Sequence, residues 1–93
     1  MNPRLTNLLQ QPATLAMKAL LSEKTEDGLA ALARGEGLEA RCSHAEAFGA
    51  HRLWLNIMAD EIQSLDMPSR EQLDRIVFYE LVMLDSALAG GVA

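Results

Sequence analysis

The ten residues Arg75–Leu84, RIVFYELVML, form the most apolar stretch of the chain, with eight apolar side chains and one glutamate, Glu80. Taken alone, IVFY would suit a β-strand, because β-branched and aromatic residues favour sheets. The flanking segments EQLD and DSALA are rich in helix formers, and a helix-start signal at Ser69 and a helix-stop signal at Gly90 enclose the whole region. The run is therefore predicted to lie inside one long helix.

The composition points the same way for the rest of the chain. Leu and Ala together supply 30 of the 93 residues, whereas Val, Ile and Thr supply nine. A chain of this length makes one domain with a single modest core. We therefore predict an all-α fold: a small bundle of about four helices, two short at the N-terminus and two long and antiparallel at the C-terminus. Residues 90–93 are predicted to form a frayed tail.

The first helical segment is predicted over Pro3–Ser22. Leu5, Leu8 and Leu15 fall on one side of a helical wheel, and this phase continues across Pro12. Proline is favourable at the first position of a helix and costly in its interior. The segment is thus either one kinked helix or a short turn followed by a helix that begins at Pro12, and we favour the break.

Cap signals delimit the next two segments. Thr25 is a suitable N-cap for a short second helix that Gly35 would close. Ser43 and Glu46 form an S-x-x-E capping box, which predicts that a third helix begins near Ser43. Its apolar stripe continues to Leu65. The fourth helix, which contains RIVFYELVML, is predicted to begin at a second capping box formed by Ser69 and Gln72, and to end at Gly90–Gly91.

The charge is unevenly distributed. The chain has a formal net charge of −5, with a net of +1 over residues 1–35 and −6 over residues 36–93. An acidic surface repels phosphate backbones and attracts basic protein surfaces. Nucleic acid is therefore disfavoured as a partner. Cys42 is the sole cysteine, so an internal disulfide is excluded, and we predict a cytoplasmic protein. No apolar run is long enough to predict a membrane span.

Residues that could support catalysis or metal binding are sparse. The segment EARCSHAE brings together Glu39, Cys42, His44 and Glu46, but their spacing matches no established metal-ligand pattern. No phosphate-binding glycine loop or catalytic motif is present in the sequence. The predictions are accordingly no enzymatic activity, no metal and no cofactor.

The last two helices carry more apolar surface than one core face needs. Phe78, Tyr79 and Val82 fall on the side of the fourth helix opposite its main apolar arc. Leu53 and Ile57 line up on the side of the third helix away from its main stripe. A helix that is apolar all round is either central in the fold or covered by another chain. These five residues are our candidate partner-binding site.

Glu80 lies within the main apolar arc of the fourth helix and needs a polar partner, because an unpaired buried carboxylate costs several kcal/mol. His51 occupies the corresponding position at the centre of the third helix's stripe. If these two helices pack antiparallel, the side chains could meet. We predict a structural hydrogen bond between His51 and Glu80; the alternative is that Glu80 reaches solvent or an arginine.

The predicted function is that of a small acidic protein-interaction module, a regulator such as an adaptor, antiactivator or inhibitor, with a basic protein as its partner. The first alternative is a DNA-associated regulator, either a helix-turn-helix protein or an acidic DNA mimic. The second is a homodimeric structural protein whose surplus apolar surface is covered by its own second copy.

Overall fold

A computed structural model describes the backbone of residues 2–91, and all of it except short connections is helical. Five α-helices follow one another: α1 (Pro3–Gln10), α2 (Pro12–Ala33), α3 (Gly37–Ile57), α4 (Ala59–Gln63) and α5 (Met67–Gly91). The long helices α2, α3 and α5 form a three-helix bundle, and α1 and α4 cover one end of it. The predicted all-α bundle is confirmed. The predicted tail overlaps α5 at residues 90 and 91 and otherwise lies outside the described residues.

The chain breaks at Pro12, as favoured from the sequence. Gln11 is extended, with φ −62° and ψ 139°, and Pro12 is the first residue of α2. The pyrrolidine ring disfavours a helical conformation for the residue before it, which ends α1. The helical phase also changes here: Leu5 and Leu8 are buried, whereas Leu15 is exposed. The prediction that the apolar stripe continues across Pro12 is therefore wrong beyond α1.

Two predicted helix starts are interior positions of longer helices. Thr25 lies inside α2, where its hydroxyl donates to the backbone carbonyl of Glu80 at 3.4 Å. Ser43 lies inside α3, and Glu46 forms a 2.8 Å ion pair with Lys24. In both cases a contact with another helix uses a side chain that the sequence suggested was a cap. The second helix is consequently long, not short.

The turn between α2 and α3 follows the sequence closely. Gly35 has φ +78°, a left-handed conformation that glycine adopts at little energetic cost because it has no Cβ. The N–H of Glu36 donates to the carbonyl of Ala31 at 2.8 Å, and that of Gly35 donates to Leu32 at 3.0 Å. These bonds satisfy carbonyls at the end of α2 in the Schellman arrangement. The chain reverses here, and α2 and α3 run antiparallel.

The helix expected to reach Leu65 is interrupted. α3 ends at Ile57, and α4 begins after Met58. The last helix begins two residues before the predicted cap, because Asp66 and not Ser69 caps it: the Asp66 carboxylate accepts from the Ser69 N–H at 2.9 Å. Hydrogen bonding from the Ser69 side chain, together with this backbone hydrogen bond, lowers the pKa of Asp66.

The core lies where the bundle and its covered end meet. It includes residues from every helix of the bundle and from α1, among them Leu5, Leu8, Leu21, Trp54, Val77 and Leu81. α3 and α5 pack antiparallel, as predicted, since His44 lies near Asp85 and His51 lies near Phe78. α2 and α5 run parallel. Among residues 2–91, no helix has the length and hydropathy needed to cross a membrane.

Gly28 is where α2 approaches α5 most tightly. A Cβ at this position would lie 2.8 Å from both Cδ atoms of Leu84, a fully buried side chain. Gly49, in the middle of α3, has open space at the same point. Both substitutions Gly28→Ala and Gly49→Ala gain the helix propensity of alanine, about 1 kcal/mol. The crowding at Leu84 distinguishes them.

We predict that Gly28→Ala has a free energy of unfolding about 1–3 kcal/mol lower than Gly49→Ala, the usual cost of overpacking. Urea unfolding followed by circular dichroism measures both. Equal stabilities would show that Leu84 moves aside without cost and that α2 and α5 are not closely fitted.

Candidate functional site

The structure divides the five predicted partner-binding residues between two surfaces. Phe78, Tyr79 and Val82 lie on α5, where Phe78 and Val82 border α3, whereas Leu53 and Ile57 lie on α3 beside α2. The two sets are separated because one side of α3 faces α5 and the opposite side faces α2. The structure therefore does not bring them together in one patch, and their role in binding remains a prediction.

The first surface centres on α5. Tyr79 and Val82 are 64% and 57% exposed, and Phe48 of α3, which is also exposed, lines the same groove as Val82. Phe78 is half-buried, and its ring centroid lies 4.3 Å from that of His51. A groove of about 220 Å³ runs between α3 and α5 along Phe48, Phe78 and Val82. We call Phe48, Phe78, Tyr79 and Val82 the α5 surface.

Acidic side chains flank the α5 surface. Asp85 lies at one end of the groove, 3.7 Å from His44. Asp74 lies beside Phe78 on the same helix, and the nearby Arg75 is 3.8 Å from Glu71. Both aspartates are exposed. A partner that covers the aromatic residues would therefore meet carboxylates at the edge.

The second surface is a groove of about 250 Å³ between α2 and α3. None of its lining side chains is ionisable: they are Ala13, Ala16, Met17, Leu20, Ala50, Leu53, Trp54 and Ile57. Leu53 and Ile57 are 61% and 58% exposed. One helical turn beyond Leu20, the ion pair between Lys24 and Glu46 bridges the two helices, and the carboxylate raises the pKa of Lys24. We call this surface the α2–α3 groove.

The predicted hydrogen bond between His51 and Glu80 is not formed. Glu80 Oε1 accepts instead from the Ser22 hydroxyl at 2.6 Å, and its Oε2 is buried without a hydrogen-bond partner among the described residues. The reason is the direction of each side chain. Glu80 points from α5 towards α2, whereas His51 points from α3 towards Phe78, on the other side of α5.

His51 is buried against aromatic rings. The centroids of Phe78 and Trp54 lie 4.3 and 5.9 Å from that of its imidazole. Burial lowers the pKa of His51 below its ordinary value of 6.5, and the charge of Asp74 opposes this change only in part. The histidine is thus a neutral core residue at neutral pH.

A buried hydrogen bond that the sequence did not suggest joins α2 to α3. The indole N–H of Trp54 donates to the Thr14 hydroxyl at 2.8 Å. Thr14 is fully buried although its side chain is polar. A buried tryptophan usually finds an acceptor for its N–H, which is the one signal that could have pointed to such a pair.

The metal-capable cluster does not converge. Glu39, Cys42 and Glu46 lie along the polar side of α3 beside α2, whereas His44 points towards Asp85 of α5. Within residues 2–91, no three side chains of His, Cys, Asp or Glu are grouped closely enough to hold an ion.

The burial of His51 predicts a pH dependence of stability. Because the folded chain releases the His51 proton at a lower pH than the unfolded chain, stability is fully present above pH 6.5 and is lost as the pH falls below it. The slope for one proton is at most about 1.4 kcal/mol per pH unit.

Urea unfolding between pH 7.5 and 5 measures this slope. It should be smaller in His51→Gln than in wild type. An unchanged slope in His51→Gln would refute the assignment.

The contacts of Glu80 predict which residue is energetically coupled to it. Ser22→Ala removes the one hydrogen bond of a partly buried carboxylate and should cost about 1–3 kcal/mol. In Glu80→Met the same change in Ser22 should cost much less. Double-mutant cycles of unfolding free energy should therefore give coupling for Ser22 with Glu80 and none for His51 with Glu80. The reverse result would restore the original pair.

The chain matches no family model, no curated protein and no solved structure. A function is accordingly inferred from the chain's own surfaces. The α5 surface and the α2–α3 groove are the two candidates, since each exposes large apolar side chains on a folded bundle.

Proposed function

We propose that this chain is a small acidic protein-interaction module that binds a protein partner through the α5 surface. The observation that carries the proposal is the exposure of Tyr79 and Val82 beside the half-buried Phe78. Burying one such side chain contributes roughly 1.5–3 kcal/mol. Large aromatic residues that surround a groove are typical anchors of protein interfaces.

The partner that suits this surface is basic. Asp85 lines the groove, Asp74 lies next to Arg75 beside Phe78 and Tyr79, and the whole chain has a net charge of −5. Opposite charges at the rim of an interface accelerate association and disfavour partners of like charge. An α-helix with an apolar face and basic flanks would place its apolar side chains over Phe78 and Val82 and its cations beside the aspartates.

A domain that covers a partner's surface in this way acts as a regulator, whether as an adaptor, an antiactivator or an inhibitor. We propose the cytoplasm as its location. The support is the single cysteine, Cys42, which is exposed and unpaired in the structure. Free thiols are maintained in reducing compartments.

Two neighbouring residues of α5 provide a sharp test. Val82→Asp places a charge in the α5 surface, whereas Met83→Asp places the same charge at an exposed position one residue later that does not line the groove. Phe78→Asp is less suitable, because Phe78 packs against the core and a charge there would destabilise the fold.

We expect wild type and Met83→Asp to capture the same basic proteins from native lysate, and Val82→Asp to bind them at least about tenfold more weakly, a loss of about 1.4 kcal/mol. Capture should also weaken with salt because steering is electrostatic. Equal capture by Val82→Asp, or salt-sensitive binding of the chain to random DNA, would contradict the proposal.

A further inference from the structure

The α5 surface lies between an acidic side on α5 and a basic side on α3. We propose that the segment of the partner that binds here is a helix with a basic flank over α5 and an acidic flank over α3. This inference rests on the proposed function and makes the charge pattern of the partner specific. Its basis is the set of charged residues beside Phe78 on α5 and beside Phe48 on α3.

The α5 side is acidic. Asp74 and Asp85 are eleven residues apart, close to three helical turns, so both lie on the face of α5 that carries Phe78. Arg75 also borders Phe78, but it lies 3.8 Å from Glu71, and these two charges compensate each other. The two aspartates therefore leave this side with a negative charge.

The α3 side is basic. Arg41 and Arg52 lie seven residues before and four residues after Phe48, and residues at these spacings share one face of a helix. Both arginines are exposed, and neither forms an ion pair with another residue of the part of the chain that the structure describes. Two uncompensated guanidinium groups consequently lie beside the exposed ring of Phe48.

The antiparallel packing of α3 and α5 sets these charges side by side. His44 lies 3.7 Å from Asp85, and Arg41 is one helical turn from His44, so Arg41 and Asp85 belong to the same end of the surface. Arg52 and Asp74 belong to the other end, since each lies eleven residues, or about 17 Å, further along its helix in opposite chain directions. A partner helix of three turns or more would meet a carboxylate on one flank and a guanidinium on the other at both ends.

A partner with cations on both flanks would fit less well. Its lysines would pair with Asp74 and Asp85 on one side and would lie against Arg41 and Arg52 on the other. Like charges brought together across an interface disfavour a complex, and exposed pairs of opposite charge stabilise it modestly. Exchanging attraction for repulsion at two positions should weaken binding about tenfold.

Three synthetic helical peptides of about 18 residues, or five turns, test this inference. All have the same stripe of leucines. The sorted peptide has lysines on one flank and glutamates on the other, the all-lysine peptide has lysines on both, and the all-glutamate peptide has glutamates on both. Fluorescence anisotropy at low ionic strength measures their binding to the full chain. Wild type should bind the sorted peptide about tenfold more tightly than either of the others.

Charge reversal on α3 provides the matched comparison. Arg52→Glu should bind the all-lysine peptide at least as tightly as the sorted one, because one repulsive contact becomes attractive. Lys18→Glu on α2 changes the net charge equally at a position that does not line the α5 surface, and it should keep the preference of wild type. Circular dichroism identifies any variant that fails to fold.

Equal binding of the sorted and all-lysine peptides by wild type would overturn the inference and leave the basic partner of the proposed function in place. The same holds if Arg52→Glu keeps the preference of wild type. Undiminished binding of the sorted peptide by Val82→Asp would show that the peptide lies elsewhere on the chain, which also overturns the inference. If no peptide binds at about 1 mM, the inference fails, and capture from lysate with Val82→Asp decides the proposed function separately.

Discussion

The close contact between α2 and α5 determines how the rest of the molecule is arranged. Gly28 has no side chain, so Leu84 packs directly against the backbone of α2. This contact fixes the parallel register of the two helices and places Ser22 opposite the Glu80 carboxylate. It also fixes the rotation of α5 about its axis. With Glu80 turned towards α2, Tyr79 and Val82 are turned outwards, and the α5 surface is the result.

Much of this architecture follows from local chemistry and could be read from the sequence. The break at Pro12 and the left-handed turn at Gly35 depend on properties of single residues, which tertiary contacts seldom change. The helical state of RIVFYELVML also followed from its neighbours. The exposed positions of Tyr79 and Val82 agree with a helical wheel, because the wheel needs only the direction of the main apolar face.

The failures have a common physical cause. Thr25 has the chemistry of an N-cap, but a hydroxyl in a helix interior can equally bond to a neighbouring helix. In the capping box predicted at Ser43, Glu46 instead pairs with Lys24 of α2. A helical wheel shows the side of α5 on which Glu80 lies, but not which helix packs against that side. The choice between His51 and Ser22 as its partner could therefore not be made from the sequence. The separation of Leu53 from Val82 likewise depended on the side of α3 that each neighbour covers.

The turn at Gly35 has a consequence for the order in which the molecule assembles. A tight turn with two backbone hydrogen bonds joins α2 to α3. Contacts between the two helices therefore close short loops, at a small entropic cost. The Ser22–Glu80 contact joins residues 58 positions apart and must wait for α5 to dock. We therefore expect the helical hairpin of α2 and α3 to form before α5 docks. A partner that binds α5 would consequently also determine how long α5 stays docked on the bundle.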